Sequence, residues 1–109
     1  MHQKEYWVKE AGSASEIPFA ENNLATVQVE GKSICLARTG SGLKACAARC
    51  PHAGGDLAEA FLDKMENIVC PVHGYRFSVN TGRDSRSEGY FLKIYKIKET
   101  AEGVFIKLA

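Results

Sequence analysis

Short stretches in which apolar and polar residues alternate recur along the chain, most of them closed by a glycine-bearing turn. A period of two puts successive side chains on opposite faces, which is the signature of a half-buried β-strand. Residues 6–9 form a first short candidate. A loop with one helical turn follows around Ser13, Ser15 and Pro18. Residues 24–30 alternate, and Gly31-Lys32 turns the chain into a strand at 33–38. Gly40-Ser41 then makes a two-residue hairpin loop into 43–49. Near the C-terminus, Phe91, Lys93, Tyr95 and Ile97 alternate with Leu92, Ile94 and Lys96. Glu102-Gly103 joins that stretch to 104–108 as a second hairpin.

Between the hairpins the pattern breaks. Residues 50–55 are a Pro/Gly-bearing loop, and 57–62 read as a short helix or an irregular excursion. Residues 67–70 are short and apolar, 71–74 are a second loop, and 75–79 alternate again before a turn at Asn80-Thr81-Gly82. The expected fold is all-β: a small antiparallel β-sandwich or barrel with two loops inserted between its strands.

The chain has 109 residues, enough for one compact domain and too few for two. A net charge of +1 leaves no broad basic field, so neither nucleic acid nor an anionic membrane is an expected partner. No run approaches a membrane span, and no apolar export segment follows Met1-His2-Gln3-Lys4-Glu5. A cytoplasmic location is expected. The four cysteines then point to metal binding rather than to a disulfide framework.

Cys50-Pro51-His52-Ala53-Gly54-Gly55 and Cys70-Pro71-Val72-His73-Gly74-Tyr75 carry the chemistry. Their pattern is C-x-H, seventeen residues, then C-x-x-H. Two thiolates and two imidazoles can complete a two-iron cluster with Cys on one iron and His on the other. Glycines beside the ligands let backbone N–H groups approach the sulfurs, and the prolines stiffen each loop. The same four residues could hold a structural zinc, although C-x-H is an unusual zinc knuckle. A metal-free reading also stands, with buried cysteines and incidental histidines.

The stretches C-P-H-A-G-G-D-L and C-P-V-H-G-Y-R-F, with T-G-R downstream, resemble the Rieske ferredoxin family, which includes the Rieske domains of ring-hydroxylating oxygenases. The resemblance implies a Rieske [2Fe–2S] cluster held by Cys50, His52, Cys70 and His73, with the cysteines on an inner iron and the histidines on an outer, near-surface one. It implies a base at residues 1–45 and 79–109 and a cluster-binding subdomain at about 46–78.

Compared with the cytochrome bc-type members, two positions differ. Their loop cysteines, which form a disulfide, are replaced by Gly55 and Val72, and their cluster-bonding serine is replaced by Tyr75. Fewer hydrogen bonds to the sulfurs leave the cluster more electron-rich. The expected potential is therefore about −150 mV rather than about +300 mV. Family members often carry a proline-bearing cover loop, whereas residues 83–89 contain no proline, so a shorter or more mobile cover is expected.

Cys35 and Cys46 fall opposite each other if Gly40-Ser41 closes a two-residue hairpin. Their Cα atoms would be about 5.5 Å apart, so a disulfide is conceivable, against reduced packing thiols as the cytosolic expectation. Tyr6, Trp7 and Phe91 read as core anchors. His2 reads as solvated or disordered. Arg49, Arg76, Arg83 and Arg86 could form a docking patch or a solvated rim.

The resemblance implies a monomeric one-electron carrier between a flavin-bearing reductase and a terminal Rieske oxygenase. Alternatives are an accessory subunit similar to the nitrite reductase small subunit, or a zinc-stabilised structural domain. An oxygenase would need a mononuclear iron on two histidines and a carboxylate. With His52 and His73 committed, only His2 is left of the 3 histidines, so no enzyme activity is expected.

Overall fold

A computed structural model describes residues 7–52, 54–72 and 74–108. Tyr6 and His2 lie outside the described residues. Nine strands lie among the described residues: β1 (Trp7–Ala11), β2 (Leu24–Val29), β3 (Lys32–Thr39), β4 (Gly42–Ala47), β5 (Phe61–Leu62), β6 (Asn67–Val69), β7 (Arg76–Ser78), β8 (Ile94–Thr100) and β9 (Gly103–Lys107). Six form one antiparallel sheet in the order β1-β9-β8-β4-β3-β2, and β5-β6-β7 form a second, smaller sheet. The all-β expectation therefore holds. No helix among the described residues is long and apolar enough to cross a membrane.

The two-residue turns set the register. Glu30 and Gly31 both adopt positive φ (49° and 80°), as a mirror-image hairpin turn requires, so Val29 pairs with Lys32. The next turn pairs Thr39 with Gly42 and places Cys35 opposite Cys46.

β3 separates two apolar cores. Ile34 and Leu36 pack with Ala45, Tyr95, Val104 and Ile106 on one side. Cys35 and Ala37 pack with Cys46, Leu57, Ile68 and Phe77 on the other. Each fully buried large side chain contributes about 1.5–3 kcal/mol relative to exposure.

Between the inserted loops, residues 57–62 resolve into a 3-10 turn (Leu57–Glu59) followed by β5. The Asp56 carboxylate accepts the Ala58 N–H at 2.9 Å and caps the turn. Asn22, just before β2, donates to the carbonyls of Ala58 and Ala60 at 2.9 Å each and ties this excursion to the base.

Phe91 is not a core anchor: it is 61% exposed, while Leu92 is buried. β8 begins only at Ile94, and Phe91 makes an isolated bridge with Arg83 instead of a strand pairing. The Leu92 N–H bonds the Gly82 carbonyl at 2.8 Å, which fixes Leu92 on the side of the two inserted loops. Trp7 is only half-buried on edge strand β1, with Lys98 Nζ 4.3 Å above its ring.

Candidate metal centre

The two Cys-Pro loops share one backbone plan. Cys50 N–H donates to the Gly55 carbonyl at 2.9 Å, and Cys70 N–H donates to the Tyr75 carbonyl at 2.8 Å. Each cysteine is thus bonded to the residue five positions on. The fourth residue after each cysteine, Gly54 or Gly74, is left-handed at φ 69° and 67°. A side chain is disfavoured at such a φ, which is why glycine closes both loops. On this common frame a histidine sits two positions after Cys50 and three after Cys70. His73 and Ala53 lie outside the described residues.

Cys50 and Cys70 are buried at 2% and 0% exposure, in one apolar cluster. Burial pushes the Cys70 thiol up, the Val72 N–H pulls it down, and the neighbouring Cys50 thiol pushes it up again. The two sulfurs are therefore brought together. Gly55 keeps the space beside them open: a β-carbon there would lie 3.2 Å from Cys70 Sγ and 3.2 Å from Val72 Cγ2. The Nδ1 atom of His52 is buried. Two adjacent soft sulfur donors, a buried imidazole nitrogen and a glycine-cleared space fit an iron–sulfur group better than a hard cation.

His52 is held among aromatics. Its ring stacks on Tyr75 at 3.9 Å between centroids and 25° between planes, and Tyr90 meets it edge-on at 5.0 Å. The Tyr75 hydroxyl donates to Glu88 at 2.6 Å, and the Arg86 guanidinium lies 4.3 Å from the Tyr75 ring centroid. The bond to Glu88 pushes the Tyr75 phenol above its ordinary value.

The loop that carries Arg86 and Glu88 is the proline-free segment 83–89, and it is organised around a carboxylate. Asp84 is buried at 7% exposure. It accepts the N–H groups of Arg86 (2.9 Å), Glu88 (3.1 Å) and Tyr90 (3.0 Å). Burial alone would push its carboxyl up. The amide bonds from Glu88, Tyr90, Arg86 and Ser87 outweigh burial and hold it below the usual range. Main-chain amides gathered on one carboxylate thus give this proline-free segment a hydrogen-bonded turn structure. The only local signal was an Asp leading a Ser/Gly-containing stretch.

Three of the four arginines make separate contacts. Arg76 pairs with Asp63 at 2.9 Å, Arg49 donates to the Gly54 carbonyl at 3.2 Å, and Arg86 covers Tyr75. Sequence reasoning missed Glu88, Tyr90 and Asp84.

The Rieske [2Fe-2S] domain family matches residues 6–89. The ferredoxin component of the naphthalene 1,2-dioxygenase system of Pseudomonas aeruginosa is 33% identical over 106 residues, covering 96% of this chain and 98% of that protein. A structure of the complex of reduced oxygenase and oxidized ferredoxin in carbazole 1,9a-dioxygenase matches with a TM-score of 0.75 and 26% identity, covering 93% of this chain and 92% of that one. A Mycobacterium tuberculosis protein assigned as the small subunit of an NADH-dependent nitrite reductase matches with a TM-score of 0.82. It covers 98% of both chains, but at 14% identity that likeness shows the fold alone.

The fold and site define a small iron–sulfur domain. The chain belongs to the Rieske [2Fe–2S] domain family, and its cofactor is the Rieske [2Fe–2S] cluster, which sets aside the zinc and metal-free readings. The relative it matches along nearly its whole length is a ferredoxin, and the chain is an electron-transfer protein rather than an enzyme.

Proposed function

We propose that this chain carries single electrons from a flavin-bearing reductase to a terminal Rieske oxygenase, as a cytoplasmic monomer. The observation that carries the reading is the end-to-end match to a dioxygenase ferredoxin component. In this reading Cys50, His52, Cys70 and His73 hold the cluster, and residues 46–78 form its subdomain within the base of 1–45 and 79–109. The adjacency of the Cys50 and Cys70 thiols supports the cysteine half of that ligand set.

The bound cluster supplies one-electron chemistry. The chain's own residues supply the rest. Gly54 and Gly74 close the loops, the buried cysteine side chains exclude water from the sulfurs, and the aromatics around His52 fix its ring. A low potential, about −150 mV, is part of the proposal. The Tyr75 hydroxyl supports it: that group is committed to Glu88 at 2.6 Å, where bc-type members aim a serine hydroxyl at a cluster sulfur.

The test is Cys70→Ser against wild type. The wild-type protein should be red-brown and bleach with dithionite, be re-oxidised by a terminal Rieske oxygenase, and titrate near the low end of the Rieske range. Cys70→Ser should be colourless. An intact visible spectrum in Cys70→Ser would overturn the ligand set, and a reduced protein that no such oxygenase re-oxidises would overturn the carrier role.

A further inference from the structure

His52 sits in the first loop, while the groups around it come from elsewhere. Tyr75 follows the second loop, and Arg86, Glu88 and Tyr90 come from the segment ordered by Asp84. The stacking distance of 3.9 Å and the shallow 25° angle mean that tilting the imidazole requires moving the Tyr75 ring. That ring is restrained at its hydroxyl by Glu88, across its π-system by Arg86, and at its edge by Tyr90, 5.7 Å away at 86°. An imidazole on a metal can rotate about its metal–nitrogen bond, and the plane it adopts sets how its orbitals overlap with the iron. Metal-bound histidines are usually oriented by a hydrogen bond to the outer nitrogen. Here an aromatic face supplies a second constraint.

We propose that Tyr75 is a positioning residue that sets the plane of His52, and that Glu88 and Arg86 hold it in place, so that these two side chains act on the centre through the Tyr75 ring. This rests on His52 being an iron ligand. The contacts span three separate parts of the chain, so the arrangement is not a by-product of local loop geometry.

The experiment uses the cluster-loaded, dithionite-reduced protein and reads the imidazole nitrogen couplings by electron spin-echo spectroscopy, with iron content measured on each sample. Wild type should show two nitrogen couplings. Tyr75→Leu should shift one of them and broaden the spread of g-values, leaving the other coupling in place. Glu88→Ala and Tyr75→Phe, which keep the ring, should each give a smaller shift of the same coupling. Unchanged couplings in both Tyr75→Leu and Glu88→Ala at full iron content overturn the positioning role while leaving the ligand reading intact. Should Tyr75→Leu fail to retain iron, Glu88→Ala alone decides: a shift upholds the role, and none overturns it. A wild-type spectrum without two imidazole couplings removes the ligand reading and the positioning role together.

Discussion

Cys35 on β3 lies directly opposite Cys46 on β4, both are fully buried, and both are free thiols. The Cys35 thiol beside it, with burial added, pushes the Cys46 thiol well above its ordinary range. The pair faces the same apolar cluster as Cys50 and Cys70. As packing thiols they should be dispensable for iron. Cys35→Ala should keep the visible spectrum and cost about 1 kcal/mol in denaturant unfolding. Iron loss comparable to that of Cys50→Ser would contradict this division of the cysteines.

Gly55→Ala should lower iron content several-fold with the fold retained, because its β-carbon would press within 3.2 Å of Cys70 Sγ. Gly54→Ala makes the contrasting case. Nothing lies within 4 Å of a β-carbon there, but φ is 69°. That variant should lose about 1–2 kcal/mol of stability through backbone strain and keep its iron. Iron analysis and unfolding curves on the two variants separate the effects.

Leu57 is fully buried beneath the first loop. Leu57→Ala should cost about 2–5 kcal/mol. Because the cavity would open on the loop side of β3, amide exchange should accelerate first in residues 54–60.

Asp84 should impose an acid limit on the cover segment. Its folded-state pKa is depressed, so its contribution is complete above the unfolded value of about 4 and is lost as pH falls through the lower folded value. In Asp84→Asn the amides of Arg86, Glu88 and Tyr90 should exchange faster than in wild type at pH 7. That difference should shrink below about pH 4. A gap of constant size from pH 7 down to pH 3 would refute the role of the charge.

Much of this was legible in the sequence because it is local. A two-residue loop at Gly40-Ser41 dictates which residues pair, and so the Cys35–Cys46 register was readable in advance. The matched Cys-Pro loops were readable because spacing and residue type coincide. What escaped depends on distant contacts. Phe91 and Leu92 both fit an alternating pattern, and only the bond from Leu92 N–H to the Gly82 carbonyl decides which one turns inward. Glu88 looks like any surface carboxylate until Tyr75 is beside it. β5 is two residues long, below the length at which alternation means anything.

In most sheets with one wet face, a strand that slips by one residue throws its apolar side chains into water, and that penalty fixes the alignment. β3 lacks this safeguard, since Ile34, Cys35, Leu36 and Ala37 are all buried. What distinguishes its sides is bulk. Isoleucine and leucine point one way, and cysteine and alanine the other, where the two Cys-Pro loops must fit. Exchanging Cys35 and Leu36 would leave hydrophobicity untouched and still crowd one compartment while hollowing the other. The strand is therefore a gauge of thickness, and its sequence is constrained by volume where a neighbouring strand would be constrained by polarity.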